Sequence, residues 1–277
     1  MKKIILAATA IFVAVICFAK TDKPVSIKVM SYNIRNSNAN DGTNSWIYRA
    51  PASGMMIEAQ MPDILGTQET CLDQVNFLKD GLDDYKCIGV GREDGKEEGE
   101  HMEVFYNYRK ITLLKWGTFW LSETPDKPSR GWDAACKRTA TWAVMKEKKS
   151  GKKFFFVNTH IDHRGQEAQL NGIALLVEKT KEYNKENLPV VITGDFNVLP
   201  DNPSLVSIRE FAKNARETAT KTDNEGSYTG WGKTSEQIDY IWYNGFGSCT
   251  EYETHKKPYF ERTFISDHFP VMATLFF

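Results

Sequence analysis

Polar side chains able to hold a metal or move a proton recur where β-rich runs of this sequence end. Asn33 follows Val29-Met30-Ser31-Tyr32, Glu69 follows the run over 64–68, and His160 and Asp162 follow the run over 154–159. Asp195 and Asn197 follow Val190-Val191-Ile192-Thr193-Gly194, Asp239 lies inside the run over 238–243, and Asp267 and His268 precede the terminal run over 271–277. Each alone has an ordinary explanation: a turn for Asp195-Phe196-Asn197, a cap for Ser266-Asp267-His268, a solvated strand end for Glu69. Together they point further, because strand ends converge at sheet rims and rigid strands can hold a polar constellation in place. The chemistry such a set suits is hydrolysis at phosphorus. Oxygen ligands from Glu69, Asp267 and Asn33 match Mg²⁺ or Mn²⁺ better than zinc, which prefers His and Cys. Carboxylates, amides and the two imidazoles can orient the attacking water and stabilise charge around a pentavalent phosphorus.

The elements that must position these residues are mostly strands. Runs rich in β-branched and aromatic residues predict strands over 25–32, 64–68, 104–108, 139–145, 154–159, 190–193, 238–243 and 271–277. Helical spacing of Leu170, Ile173, Ala174, Val177 and Thr180 predicts a helix over 166–184; a second falls over 46–60 and a third follows Asp73. The polar window 91–100 reads as a solvated surface loop, and no repeat or interdomain linker interrupts the chain. Many strands with a minority of interspersed helices predict an α/β (α+β) domain: a four-layer α/β/β/α sandwich of two stacked, mainly antiparallel sheets flanked by helices.

Composition fits one large globular domain, with 41% hydrophobic and 12% aromatic residues in 277. Lys+Arg and Asp+Glu are 35 against 36, so no global basic field marks a tight nucleic-acid binder. At the amino terminus Lys2 and Lys3 precede an apolar run over 4–18, and Cys17-Phe18-Ala19 offers small residues at the cleavage-determining positions. This predicts a signal peptide over 1–19, a mature chain over 20–277 and export to the periplasm or exterior. Ile16 disfavours a lipoprotein cut before Cys17, and the run falls short of the ~20 residues that span a bilayer. The remaining Cys71, Cys87, Cys136 and Cys249 lack the close spacing of a zinc site and read either as isolated buried thiols or as disulfide partners in an oxidising compartment. No protein partner is evident, and a monomer is expected.

Six motifs stand in one order: Ser31-Tyr32-Asn33-Ile34-Arg35, Gln68-Glu69, Asn158-Thr159-His160-Ile161-Asp162, Gly194-Asp195-Phe196-Asn197, Ile238-Asp239-Tyr240-Ile241 and Ser266-Asp267-His268-Phe269-Pro270-Val271. In these the chain resembles the endonuclease/exonuclease/phosphatase superfamily, which has a deoxyribonuclease-I-like fold. The resemblance implies Mg²⁺ (or Mn²⁺) at Glu69, with Asn33 supporting and Asp267 completing the shell. It implies that Asp195 orients or deprotonates water, that Asn197 holds a phosphate oxygen, and that His268, paired with Asp239, stabilises charge at the scissile phosphate. His160 would bind a nonbridging oxygen or assist the leaving group. The run over 117–125 with Gly131-Trp132-Asp133 resembles an exported bacterial subfamily related to the carbon-catabolite-repressor deadenylases, although Gln169 stands where an arginine is expected.

Arg35, Asp162, His163, Arg138 and Trp132 are candidates for substrate contact, with Trp132, Trp231 and Tyr228 as a rim on which a ring could stack. The resemblance implies a phosphoester substrate: nucleic acid, sugar phosphate, inositol phosphate or phospholipid. A nuclease-like phosphodiester is the first expectation, a phosphomonoester or lipid phosphoester the alternative. A noncatalytic binding module on the same fold is disfavoured, since Glu69, Asp195, Asp239 and His268 are all retained.

Overall fold

The computed structural model describes residues 24–277; the signal-peptide reading over 1–19 lies outside them. One six-stranded sheet holds β1 (Ser26–Asn33), β2 (Ile64–Gln68), β3 (Tyr85–Ile88), β4 (Val104–Asn107), β11 (Ser248–Thr254) and β12 (Val271–Phe276), in the order β11-β12-β1-β2-β4-β3. The other holds β5 (Ile111–Trp120), β6 (Thr139–Glu147), β7 (Lys153–His160), β8 (Val190–Asp195), β9 (Lys213–Asn214) and β10 (Asp239–Asn244), in the order β5-β6-β7-β8-β10-β9. Each sheet has one parallel pair, β1 with β2 and β7 with β8, and is otherwise antiparallel. Helices α1 (Trp46–Gln60) and α2 (Leu72–Gly81) belong to the first sheet, and α3 (Gln166–Tyr183) and α4 (Val206–Phe211) to the second; a short α5 (Ala215–Thr218) follows β9. Two mixed sheets with flanking helices make the predicted sandwich.

Strand alternation explains the layering, because successive side chains point to opposite faces. On β7, Phe154 and Phe156 join a core that also takes Ile27, Val29, Ile64 and Val191 from between the sheets. Phe155 and Val157 point the other way, into a second core with Ile173, Leu176 and Val177 of α3. Met30 and Tyr32 of β1 pack with Met56 and Ile57 of α1 in a third. Three apolar layers thus separate four layers of secondary structure.

The same alternation carries polarity along the inward faces. Ile27 and Val29 are followed by Ser31 and Asn33, Phe154 and Phe156 by Asn158 and His160, and Val191 by Thr193 and Asp195, all of them buried. One end of the intersheet layer is oily and the other polar. The transition is a hydrogen-bonded seam. Asn158 Nδ2 donates to the carbonyls of Thr67 (2.8 Å) and Glu103 (3.0 Å), while its Oδ1 accepts from Gln68 (2.7 Å) and Thr193 (3.1 Å). Gly66 is where β2 must have no side chain: a Cβ would lie 2.5 Å from Asn158 Oδ1 and Thr193 Oγ1.

Three expectations are corrected. Of the predicted helix face, Ile173, Val177 and Thr180 are buried but Leu170 is 44% exposed, and Ala168, Gln169, Gly172 and Leu176 complete the buried side of α3. Strands β5 and β11 escape the sequence reading because bulges at Leu113/Lys115 and Cys249/Glu251 break their alternation. The 91–100 segment is no free loop: Trp120 Nε1 donates to the Arg92 carbonyl (2.8 Å) and Lys137 Nζ to that of Glu93 (2.9 Å). All four described cysteines are free thiols.

Candidate active site

The polar end of the intersheet layer opens into a cleft of about 420 Å³. Its wall includes Arg35, Glu69, Asp267 and His268 from segments next to the first sheet, His160, Asp195 and Asn197 from segments next to the second, and Arg92, Glu100, Arg138 and His163. Three non-glycine residues there adopt left-handed backbone, Arg35 (φ 57), Glu69 (φ 58) and Asn197 (φ 51), each at a cost of roughly 1–2 kcal/mol. Strand-end side chains enforce two of them: Asn33 Oδ1 accepts from Arg35 N (3.0 Å), and Asp195 Oδ1 from Asn197 N (2.9 Å).

Asn33 is fully buried and does not line the cleft; its amide donates to Asp195 Oδ2 (2.9 Å) and Glu69 Oε1 (3.2 Å), joining the sites of the two sheets. Glu69 Oε2 accepts from Asn36 Nδ2 (3.0 Å). Burial pushes the Glu69 carboxyl up, but the charges of His268 and Arg35 with the Asn33 and Asn36 donors together hold it below its ordinary value. Arg35 is held by Asp41 (3.0 and 3.1 Å) and lies 3.9 Å from Glu69 and 3.8 Å from Asp267. Burial, with the charge of Glu69, raises Asp267 despite the opposing effect of His268. Two crowded carboxylates facing the cleft are a hard-oxygen pair whose repulsion a divalent cation would relieve, and so fit Mg²⁺ or Mn²⁺.

On the other side, Asp239 is buried behind His268 and accepts from its Nδ1 (2.8 Å). Burial opposes the imidazolium, but the Asp239 carboxylate outweighs it and pushes His268 up to about 10. Burial and the neighbouring Asp239 charge push Asp195 up to about 7. His160 moves the opposite way: burial, with Arg138 and Arg92 nearby, keeps it neutral, and its Nε2 accepts from Asn197 Nδ2 (2.9 Å). Asp195, Asp239 and His268 present ligand atoms within 4.8 Å of one another, a spacing that could also take a cation. The bond from His268 to Asp239 commits one ring nitrogen and the charged form of the ring, so this trio suits proton handling.

Of the substrate-contact candidates, Arg35, Arg138 and His163 line the cleft; Asp162 and Trp132 do not. Asp162 is buried with its oxygens taken by Ala135 N (3.1 Å), Arg164 N (3.0 Å), Gly165 N (2.9 Å) and Arg138 Nε (3.3 Å), so it positions the arginine. The Trp132 backbone is tied to Glu123 (3.2 Å), away from the cleft wall. Trp231 covers the Arg49 guanidinium at 5.5 Å, whereas Tyr228 sits on the wall, 4.9 Å ring to ring from His268. Gln169, at the departure from the subfamily pattern, donates to the Asp162 carbonyl (2.9 Å).

The endonuclease/exonuclease/phosphatase family profile matches residues 30–268. The chain belongs to that family. Members typically use a divalent metal ion. Within the family, a Bacteroides thetaiotaomicron endonuclease/exonuclease/phosphatase protein is 37% identical, with a TM-score of 0.87 over 92% of this chain and 96% of that one. A Bacteroides thetaiotaomicron mannosyl-6-phosphatase is 36% identical, TM-score 0.83, over 91% of this chain and 100% of that one. The human nocturnin catalytic domain, 19% identical with a TM-score of 0.70 over 92% of this chain and 94% of that domain, shares the fold; that likeness does not reach the expected deadenylase-related subfamily. An uncharacterized protein of Acanthamoeba polyphaga mimivirus is 31% identical over 150 residues, 51% of this chain and 55% of that protein, so the match spans about half that curated relative.

Several site residues escape a sequence reading of this family member. Arg92 and Glu100 lie in the polar window and reach the cleft only because that window folds back. Arg49, fully buried in α1, donates to the carbonyls of Ile34 (2.7 Å), Arg35 (3.0 Å) and Ile265 (2.8 Å), fixing the chain on both sides of the acidic wall. Its only sequence signal is an arginine on an otherwise apolar helix face.

Proposed function

We propose that the protein is an exported, divalent-metal-dependent phosphomonoesterase acting on a small hydroxylated phosphate ester. The observation that carries this reading is that one cleft brings the carboxylates of Glu69 and Asp267 together with imidazoles and guanidinium groups from Arg35, His268, His163, Arg138 and Arg92. A terminal phosphoryl group brings more charge than a diester and needs both. A divalent ion held by Glu69 and Asp267, with Asn33 behind, would neutralise charge on the phosphoryl and leaving oxygens.

The chain's own residues do the rest. Asp195, poised near neutrality, takes a proton from the water whose oxygen forms the new bond to phosphorus. The ester P–O bond breaks, the departing oxygen takes a proton from solvent, and Asp195 returns its own. His268, held protonated by Asp239, faces the negative charge that develops on the phosphoryl oxygens, and Asn197 orients the group.

The 36% identity to a mannosyl-6-phosphatase along nearly the whole chain supports a monoester. A phosphodiester, the first expectation from the motifs, would use the same reacting groups, but a polynucleotide draws on phosphate neutralisation along its length and this chain's formal charge is -1. The test is turnover of residues 20–277 on hexose phosphates, inositol phosphates, RNA, DNA and sphingomyelin, with Mg²⁺ or Mn²⁺ and with chelator. Chelator-sensitive release of inorganic phosphate is expected; strand cleavage without it overturns the monoester reading.

A further inference from the structure

A second cavity, of about 510 Å³, shares Asn36, Arg92 and Glu100 with the first. We infer that this adjoining lobe is the leaving-group subsite and takes a polyhydroxylated leaving group, read by Asp73 and Glu97; the inference rests on the phosphomonoesterase reading of the main cleft.

Direction comes first. Asp195, which activates water, and Glu69 lie on the two sides of the Asn33 amide, at 2.9 and 3.2 Å. In-line displacement sets the leaving oxygen opposite the incoming water. The leaving group therefore points past Glu69 toward Asn36, whose Nδ2 binds Glu69 at 3.0 Å and which lines both cavities.

Chemistry comes second. The lobe is walled by the carboxylates of Asp73, Glu97 and Glu100, the last paired with the Arg92 guanidinium, by the Asn36 and Asn38 amides and by the small apolar patch of Cys71 and Leu72, and among the described residues no aromatic side chain lines it. A nucleobase would need a stacking surface, whereas hydroxyl groups need acceptors, which carboxylates supply in number. Asp73 Oδ1 accepts from Ser37 Oγ (2.7 Å), and no partner holds the Glu97 carboxylate among the described residues, so acceptor capacity remains at both. With Arg92 offset by Glu100, the carboxylates of Asp73 and Glu97 leave the wall net anionic, which suits a neutral polyol better than a leaving group that carries another phosphate.

The test compares selectivity. For the mature protein with Mg²⁺, kcat/KM is measured on a hexose 6-phosphate and on p-nitrophenyl phosphate, in the wild type and in Asp73→Ala and Glu97→Ala. The hexose-to-aryl ratio is expected to fall about 10- to 100-fold in each variant. Glu97, outside any helix, serves where Asp73→Ala perturbs the start of α2. A ratio unchanged within about twofold in both variants overturns the assignment, and so does a wild type that prefers a nucleotide with the same dependence on Asp73 and Glu97. A second readout does not need turnover: saturation-transfer NMR with a free hexose and inorganic phosphate should show ring-proton contact in the wild type that the variants lose. Its absence in the wild type sinks the subsite. Contact without phosphate release from any monoester leaves the subsite standing and sinks the phosphatase reading instead.

Discussion

The two sheets run through the same pairing sequence, two antiparallel contacts, one parallel and two antiparallel, and both deliver polar residues from the parallel pair, joined by Asp239 from β10 and by Asp267 and His268 from the chain before β12. What they deliver differs. Strands β1 and β2 end in an amide and a carboxylate, with an arginine held among acids. Strands β7 and β8 end in an imidazole and a carboxylate next to the His268–Asp239 pair. Neighbouring charges hold the Glu69 acid ionised, while Asp195 rises toward neutrality because its environment is burial and another acid. One scaffold geometry thus makes a cation-holding rim and a proton-moving rim, and Asn33 ties them together.

The largest expected effect separates the two rims by what rescues them. Asp195→Asn should lower kcat by about 10³-fold and leave the melting temperature unchanged or higher, because an acid whose pKa is raised in the folded state costs stability once it ionises. No concentration of Mg²⁺ or Mn²⁺ should restore its rate. Glu69→Ala should instead raise the metal concentration needed for half-maximal rate by roughly 10- to 100-fold, a scale at least that of losing a supporting contact, and saturating metal should recover part of kcat. Metal rescue of Asp195→Asn, or none of Glu69→Ala, in metal titrations of the initial rate would erase the distinction.

The rims were legible in the sequence to different depths. Strand-end residues could be read because each follows, opens or precedes a run of β-formers, and strand ends meet at a rim whatever the topology. The structure brings Glu69, Asp267, His160, Asp195, Asn197 and His268 to one cleft, and sets Asn33 and Asp239 directly behind it. Hidden from the sequence were residues acting across long separations. Arg49 binds carbonyls 15 and 216 positions away, and the 91–100 window reaches the cleft through bonds to segments around Trp120 and Lys137. Trp132 and Leu170 misled for the opposite reason: type and spacing suggested a role, but the left-handed backbone at Trp132 is tied to Glu123 and Leu170 lies on the open face of α3.

Asn158 tests whether the rims depend on a common foundation. Truncation in Asn158→Ala removes a donor to the Thr67 and Glu103 carbonyls and an acceptor for Gln68 and Thr193 from a buried seam. The Glu103 carbonyl keeps the Thr67 amide (2.9 Å), and Gln68 keeps Ser31 Oγ (3.2 Å) and the Gly66 carbonyl (3.3 Å), so the loss is about 2 kcal/mol of stability. Urea unfolding of the variant should show that loss, with kcat and apparent metal affinity both impaired. Loss of only one would mean that the seam supports a single rim.

The smallest effect concerns the Asp–Arg pair beside each rim. Arg138–Asp162 is buried, with side chains 6% and 1% exposed, whereas the Arg35 side chain is 30% exposed beside Asp41. Burial raises Asp162, but the amides of Gly165, Arg164 and Ala135 together with Arg138 prevail and bring it from 3.8 to about 2. A carboxyl depressed in the folded state stabilises above its unfolded pKa and loses that contribution as pH falls through the folded one. The contribution is roughly 2 kcal/mol at pH 7, about half that near pH 3, and gone well below pH 2. Asp162→Asn should therefore be less stable than the wild type by about that much at neutral pH, and the gap should narrow as denaturation is repeated down to pH 3. Asp41→Asn, in the pair more open to water, should cost no more than about 1 kcal/mol. Equal costs and equal pH dependence for the two variants would mean that the difference in burial between the rims has no energetic consequence.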